Sequence, residues 1–135
     1  MGYLLALECP DCQYKSQLQL GQGMRDCKIE NVCLNFPEEV RGEIRNIIAN
    51  DAVCSTWNYE RKLGICNRCQ DLREIPEIDV SLKNSNQTMK ITGRCKCGES
   101  AKVLGGISQL EKGKIELKCP HCNKKLVWNI CGFWD

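Results

Sequence analysis

Short runs of strictly alternating apolar and polar residues dominate the chain, a period of two that belongs to half-buried strands. The clearest is Lys114-Ile115-Glu116-Leu117-Lys118-Cys119, where Ile115, Leu117 and Cys119 share one face and charge takes the other. Beyond the cysteine pair Cys119/Cys122, Leu126, Trp128 and Ile130 alternate in the same way, so this stretch predicts a hairpin around a cysteine turn. Tyr3, Leu5 and Leu7 lead into Cys9, Leu18 and Leu20 lie beyond Cys12, and Ile78, Val80 and Leu82 alternate with Asp79, Ser81 and Lys83. One segment has a different period. Val40, Ile44, Ile47 and Ile48 fall at i, i+4, i+7 and i+8, a single stripe of an α-helix over about 36–51. Pro37 sits near its start, Glu38 and Glu39 suit its positive end, and Asn50 is a stop. Gly42 costs such a helix about 1 kcal/mol relative to Ala, so it must lean on tertiary packing.

The polar run Asn84 to Gln87 reads as a turn or linker. It divides the chain into residues 1–83, with the helix inserted, and residues 84–135, where turn signals at 104–106 and 111–114 suggest a β-meander. The fold class expected is a mostly β, small metal-binding fold of two modules of short antiparallel strands. Charged residues make up 27% and apolar residues 42% of the 135, which argues against disorder, while only 6% are aromatic, so the core needs reinforcement. No run of 18 apolar residues exists, and Tyr3 to Leu7 is too short and lacks the basic flank of a secretory signal. Ala6 stands where a myristoylation signal wants Ser or Thr. A cytoplasmic location is expected.

Twelve cysteines supply the reinforcement. Eight fall in four close pairs: Cys9/Cys12, Cys66/Cys69, Cys95/Cys97 and Cys119/Cys122. In a reducing compartment such spacing points to metal thiolates rather than to disulfides. Zinc prefers four tetrahedral ligands, and a Cys-x-x-Cys turn delivers two from one short piece of backbone, so two turns complete a site. Four pairs therefore imply two zinc ions. Sequential pairing is expected, with Cys9, Cys12, Cys66 and Cys69 in one site and Cys95, Cys97, Cys119 and Cys122 in the other, because neighbouring units tend to be adjacent in space. Joining the first pair to the fourth, or interleaving the sites, also satisfies the spacing. A redox dithiol would need a βαβ context, which none of the pairs has. Cys27, Cys33, Cys54 and Cys131 are unpaired and are expected as small buried residues. His121, the single histidine, is expected to face solvent within its knuckle, since a closed four-sulfur site has no vacancy.

Cys9-Pro10-Asp11-Cys12 and Cys119-Pro120-His121-Cys122 carry the Cys-Pro-x-Cys form, and with flanking strands the chain resembles the zinc-ribbon class. That resemblance implies two ribbons, and it indicates a fold far better than a role. Over most of its length the chain also resembles a group of small bacterial cysteine-rich proteins without an assigned role. That likeness rests on Met1-Gly2-Tyr3, Cys9-Pro10-Asp11-Cys12-Gln13-Tyr14, Leu20-Gly21-Gln22-Gly23-Met24, the four pairs and the ending Trp134-Asp135.

An enzyme is not expected. Catalytic zinc keeps an open position, usually beside His or carboxylate ligands. Gly21-Gln22-Gly23 lacks the third glycine and the helix of a dinucleotide loop and reads as a plain turn. The formal charge of +2 treats cysteines as neutral, and two tetrathiolate sites with divalent ions bring it to about −2. Residues 84–135 hold 9 basic against 4 acidic side chains, so any phosphate-binding face belongs there, where Lys112, Lys114, Lys118, Lys124 and Lys125 cluster near Trp128 and Trp134. Solvated strand lysines and core tryptophans explain the same pattern more simply. The function expected is a zinc-binding, non-enzymatic adaptor or regulatory module presenting a β-surface to a protein or nucleic-acid partner. The alternative is a thiol-based redox or metal sensor that releases zinc on oxidation.

Overall fold

A computed structural model describes residues 1–135. Its elements in chain order are β1 (Gly2–Glu8), β2 (Lys15–Gly21), a 3-10 turn (Met24–Cys27), α1 (Ile29–Cys33), α2 (Glu38–Ala49), β3 (Cys54–Cys66), β4 (Asp71–Leu82), β5 (Thr88–Thr92), β6 (Lys102–Gly105), α3 (Ile107–Glu111) and β7 (Val127–Trp134). Strand accounts for 43% of the chain and helix for 19%. The seven strands form one antiparallel sheet in the order β5-β4-β3-β2-β1-β7, with β6 added to the edge of β3.

Long strands carry this sheet. β3 and β4 pair over almost their whole length, from Cys54 opposite Leu82 to Cys66 opposite Asp71. β2 touches β3 only where Gly21 faces Arg61, and that leaves the far end of the β3 edge to β6. Asn84 to Gln87 forms the turn between β4 and β5, which pair across it from Glu77/Thr92 to Ser81/Thr88.

Apolar residues gather in two main clusters. One joins Leu5, Leu7, Leu18 and Leu20 of the first hairpin to Leu63, Leu72, Leu110, Leu117 and Leu126. The other lies beneath the helices and contains Val32, Phe36, Ile44, Tyr59, Ile78 and Val80. Helix α2 places Ile44 in this second cluster with Val40, Ile47 and Ile48 beside it, which is the stripe its sequence pattern defines. Gly42 has open space around it, so nothing in the packing requires glycine there. No helix is long and apolar enough to cross a membrane.

The hairpin expected around Cys119 and Cys122 is reduced to one bridge, Lys118 opposite Lys125. Leu117 and Leu126 are buried as the alternation requires, but the preceding residues 114–116 pair with no strand. The exit becomes β7, which crosses to the far edge of the sheet and pairs with β1. Between Leu4/Leu5 and Gly132/Ile130 the register skips Cys131, a β-bulge that reverses the alternation of the residues beyond it. Trp128 and Ile130 thus pack on the first cluster, whereas Trp134 lies under the Arg61 guanidinium, 4.4 Å from the ring centroid. The two tryptophans do not form one surface with the lysines.

Candidate metal centres

The four cysteine turns are built alike. The backbone N–H of Cys9 donates to the carbonyl of Tyr14 (3.0 Å) and that of Cys119 to Lys124 (2.7 Å), each closing a loop around the pair. The shorter pair Cys95/Cys97 closes one residue sooner, Cys95 N–H to the carbonyl of Glu99 (2.9 Å). In three of the turns the residue after the second cysteine has positive φ: Gln70 (51°), Gly98 (92°) and Asn123 (64°). That left-handed step turns the chain back once the second sulfur is in place, and Gly and Asn adopt it most cheaply.

All eight cysteines fall into two quartets in which the sulfurs lie within 4.8 Å of one another. The membership corrects the sequential expectation. Cys9 and Cys12 meet Cys119 and Cys122, while Cys66 and Cys69 meet Cys95 and Cys97. The inner site is nested inside the outer one, and each draws two cysteines from either side of the turn at 84–87. The physical reason is the sheet. β7 docks on β1 and brings the fourth turn to the first, and β6 docks on β3 and brings the third turn to the second.

The closest sulfur pairs are Cys9/Cys122 at 3.5 Å, Cys12/Cys119 at 3.6 Å, Cys66/Cys97 at 3.6 Å and Cys69/Cys95 at 3.8 Å. A tetrahedron with metal–sulfur bonds of about 2.3 Å has edges of about 3.8 Å. Both quartets therefore suit one four-coordinate ion each, and all twelve cysteines are free of disulfides.

Backbone amides prepare the sulfurs. The N–H groups of Cys69 and His121 point at Cys66 Sγ (3.5 Å) and Cys119 Sγ (3.4 Å). Desolvation disfavours the Cys9 thiolate, but the amides of Asp11 and Cys12 and the neighbouring thiols outweigh it and bring the group down to about 7. The Cys69 amide does the same for Cys66, also to about 7. In the partners the protons are held. The Tyr14 amide favours a Cys12 thiolate, yet desolvation and the facing sulfurs push it up to about 12, and the Cys97 sulfur, burial and the Cys95 sulfur likewise push Cys69 up to about 12. Each quartet thus contains a thiol poised to ionise beside one that resists, an arrangement in which a cation replaces shared protons.

Supporting residues stand two places beyond a turn's second cysteine. Tyr14 follows Cys12 and Asp71 follows Cys69, and a hydrogen bond joins their side chains. Arg73 lies 3.6 Å from Asp71 and interacts with the Cys69 sulfur, which raises the Arg73 pKa further. Their shared offset from the cysteine turns is a signal the sequence carries. His121 is exposed, with its ring edge-on to Tyr14 at 4.8 Å, and belongs to neither quartet. Cys33 and Cys54 are buried in the second cluster as expected, but Cys27 and Cys131 are exposed, contrary to expectation. Cys27 ends a surface 3-10 turn, and Cys131 is turned outward by the bulge, accepting from Gln17 Nε2 at 3.4 Å. Lys112, Lys114, Lys118, Lys124 and Lys125 are all exposed. Comparison with protein-family models, curated proteins and solved structures returned no match.

Proposed function

We propose that the protein is a zinc-stabilised, non-enzymatic adaptor that presents its β-sheet surface to a protein or nucleic-acid partner. The observation that carries this reading is the sulfur spacing of the two quartets, close to the edge of a zinc tetrathiolate on every short side. Four sulfurs fill the coordination of a structural ion and leave no position for a reacting water. The two turns of each quartet act as paired zinc-ribbon knuckles, nested rather than consecutive. A reducing cytoplasm is the compartment in which such thiolates persist.

The exposed lysines around the fourth turn form the surface for an anionic partner. Lys118 and Lys125 face each other directly, a repulsive pairing that the negative charge of a neighbouring tetrathiolate relieves. The first test is a native mass spectrum with elemental analysis. Two zinc ions per chain support the reading, iron with visible absorption redirects it toward electron transfer, and a metal-free folded chain ends it. Salt-dependent binding of a short oligonucleotide, lost on replacing Lys118 and Lys125, identifies a nucleic-acid partner, and salt-independent absence of binding leaves a protein partner.

One observation favours a second reading. Cys97 is the exposed member of the inner quartet, 3.6 Å from Cys66. As a sensor, two zinc-bound thiolates would pass two electrons to peroxide and couple as one disulfide, the peroxide leaving as two waters and the zinc being released. Zinc release at low peroxide, lost in Cys97→Ser, supports that reading over the adaptor.

A further inference from the structure

The two candidate metal centres are neighbours in space. Pro120 of the fourth turn lines one surface hollow with Cys66, Asn67 and Gln70 of the second, and the His121 ring stands edge-on to Tyr14, which follows the first. Tyr14 and Asp71 hold equivalent places in the first and second turns. The Cys9 N–H donates to the Tyr14 carbonyl, so Tyr14 closes its turn, and Asp71 lies opposite Cys66 in the ladder that closes the other. The Tyr14 amide also faces the Cys12 sulfur. Each of these two residues therefore takes its position from the cysteines of its own quartet.

Tyr14 is buried, and its hydroxyl donates to Asp71 Oδ1 at 2.6 Å. No other hydrogen bond and no ion pair joins residues 9–14 and 119–124 of the outer turns to residues 66–71 and 95–99 of the inner ones. A carboxylate acceptor makes this bond one of the stronger kind. Its geometry requires that the first and second turns both be closed.

We propose that the two quartets bind their ions cooperatively, closure of one pair of turns favouring closure of the other through the Tyr14–Asp71 hydrogen bond. The inference rests on the reading of both quartets as metal centres and adds that they fill and empty together. A turn that opens without its ion carries Tyr14 or Asp71 out of reach and leaves the other without its partner. Part of the ordering that each ion must impose is thus already in place when the other is bound. Such coupling is reciprocal: the factor by which the outer ion strengthens the inner site is the factor by which the inner ion strengthens the outer. Tyr14 acts as a positioning residue, since neither it nor Asp71 belongs to a quartet.

The test is chelator competition on the zinc-loaded protein, with occupancy of each quartet read by alkylation of its cysteines and mass spectrometry of the peptides. Cys12→Ser, which disables the outer site, should weaken zinc binding at the inner quartet about tenfold, within the range usual for coupled sites. Cys69→Ser should weaken the outer quartet by the same factor. Tyr14→Phe alone should still hold two ions at excess zinc, but in its background both effects should shrink to less than about twofold. Unchanged inner affinity in Cys12→Ser overturns the proposal. So does a Cys12→Ser effect that persists in full beside Tyr14→Phe, because it then belongs to a general loosening of the fold. A wild-type chain that holds no zinc in either quartet overturns the metal reading itself, whereas two tightly held ions that ignore each other's loss leave that reading standing and end only the coupling.

Discussion

The Tyr14 hydroxyl donates a 2.6 Å hydrogen bond to Asp71 Oδ1, tying the turn of the outer cysteine quartet to the strand that leaves the inner one. Asp71 Oδ1 also accepts from the Leu72 amide at 2.8 Å, and Arg73 lies beside Oδ2. Burial, together with the carboxylate, holds the Tyr14 phenol protonated and so keeps it a donor. Tyr14→Phe should therefore cost about 1–3 kcal/mol, the range for removing a buried hydrogen bond to a charged group. Chemical denaturation of the metal-loaded protein measures the loss. The same variant should separate the chelator concentrations at which the two sites empty.

Nesting is tested by a single ligand change. Cys12→Ser should remove one metal ion and make Cys119 and Cys122 reactive to alkylation, while Cys66, Cys69, Cys95 and Cys97 stay protected. Sequential sites would expose Cys66 and Cys69 instead. Since a structural zinc site contributes on the order of 10 kcal/mol to folding, the variant should also lose cooperative unfolding of the first apolar cluster. Mass spectrometry of the alkylated peptides reads the outcome.

Lys62 and Glu77 form a buried ion pair at 2.6 Å, with Thr92 donating to the other carboxylate oxygen at 2.7 Å. Burial alone would raise the Glu77 carboxyl, but Lys62 and Thr92 hold it below its ordinary range, and burial alone would lower Lys62, but Glu77 raises it. The depressed carboxyl contributes stability above the unfolded value near 4.5 that is lost as pH falls through its lower folded value. The raised ammonium contributes stability below 10.5 that is lost as pH rises through its higher folded value. Glu77→Gln should cost about 3 kcal/mol at pH 7, because it leaves the buried Lys62 with only the more distant Asp79 carboxylate at 3.5 Å. Denaturation midpoints above pH 10.5 should fall in the wild type and stay flatter in the variant.

Trp134 is enclosed by backbone. Its Nε1 donates to the Leu20 carbonyl at 3.1 Å, and a Cβ on Gly2 or Gly23 would come within 2.1 or 2.6 Å of its ring. Gly23→Ala should displace the indole from Arg61 and cost about 1–3 kcal/mol, as overpacking does. Indole fluorescence should shift to the red. Gly42→Ala, with open space around it inside α2, should stabilise by up to about 1 kcal/mol.

Local periodicity located α2 within two residues at each end and marked the core-facing sides of β1, β2 and the last part of β4 from Ile78 on, because each of these stretches buries one face. β3 escaped it. Arg61 and Lys62 interrupt its apolar pattern, and both are accommodated by partners distant in sequence, Trp134 and Glu77. The eight paired cysteines were legible as candidate ligands, since a turn that presents two sulfurs is a local device. Which turn meets which is decided by strand order, and the docking of β7 on β1 leaves no trace in the spacing of Cys69 and Cys95. The exposure of Cys131 likewise comes from a bulge set by register rather than by composition.

The concentric arrangement of the two sites imposes a timetable on biosynthesis. Cys9 leaves the ribosome 113 residues ahead of Cys122, a wait of about 6 to 23 seconds at ordinary elongation rates. Through that interval the nascent chain can complete only the quartet ending at Cys97, and Cys9 and Cys12 travel without their partners until Cys119 and Cys122 have been made.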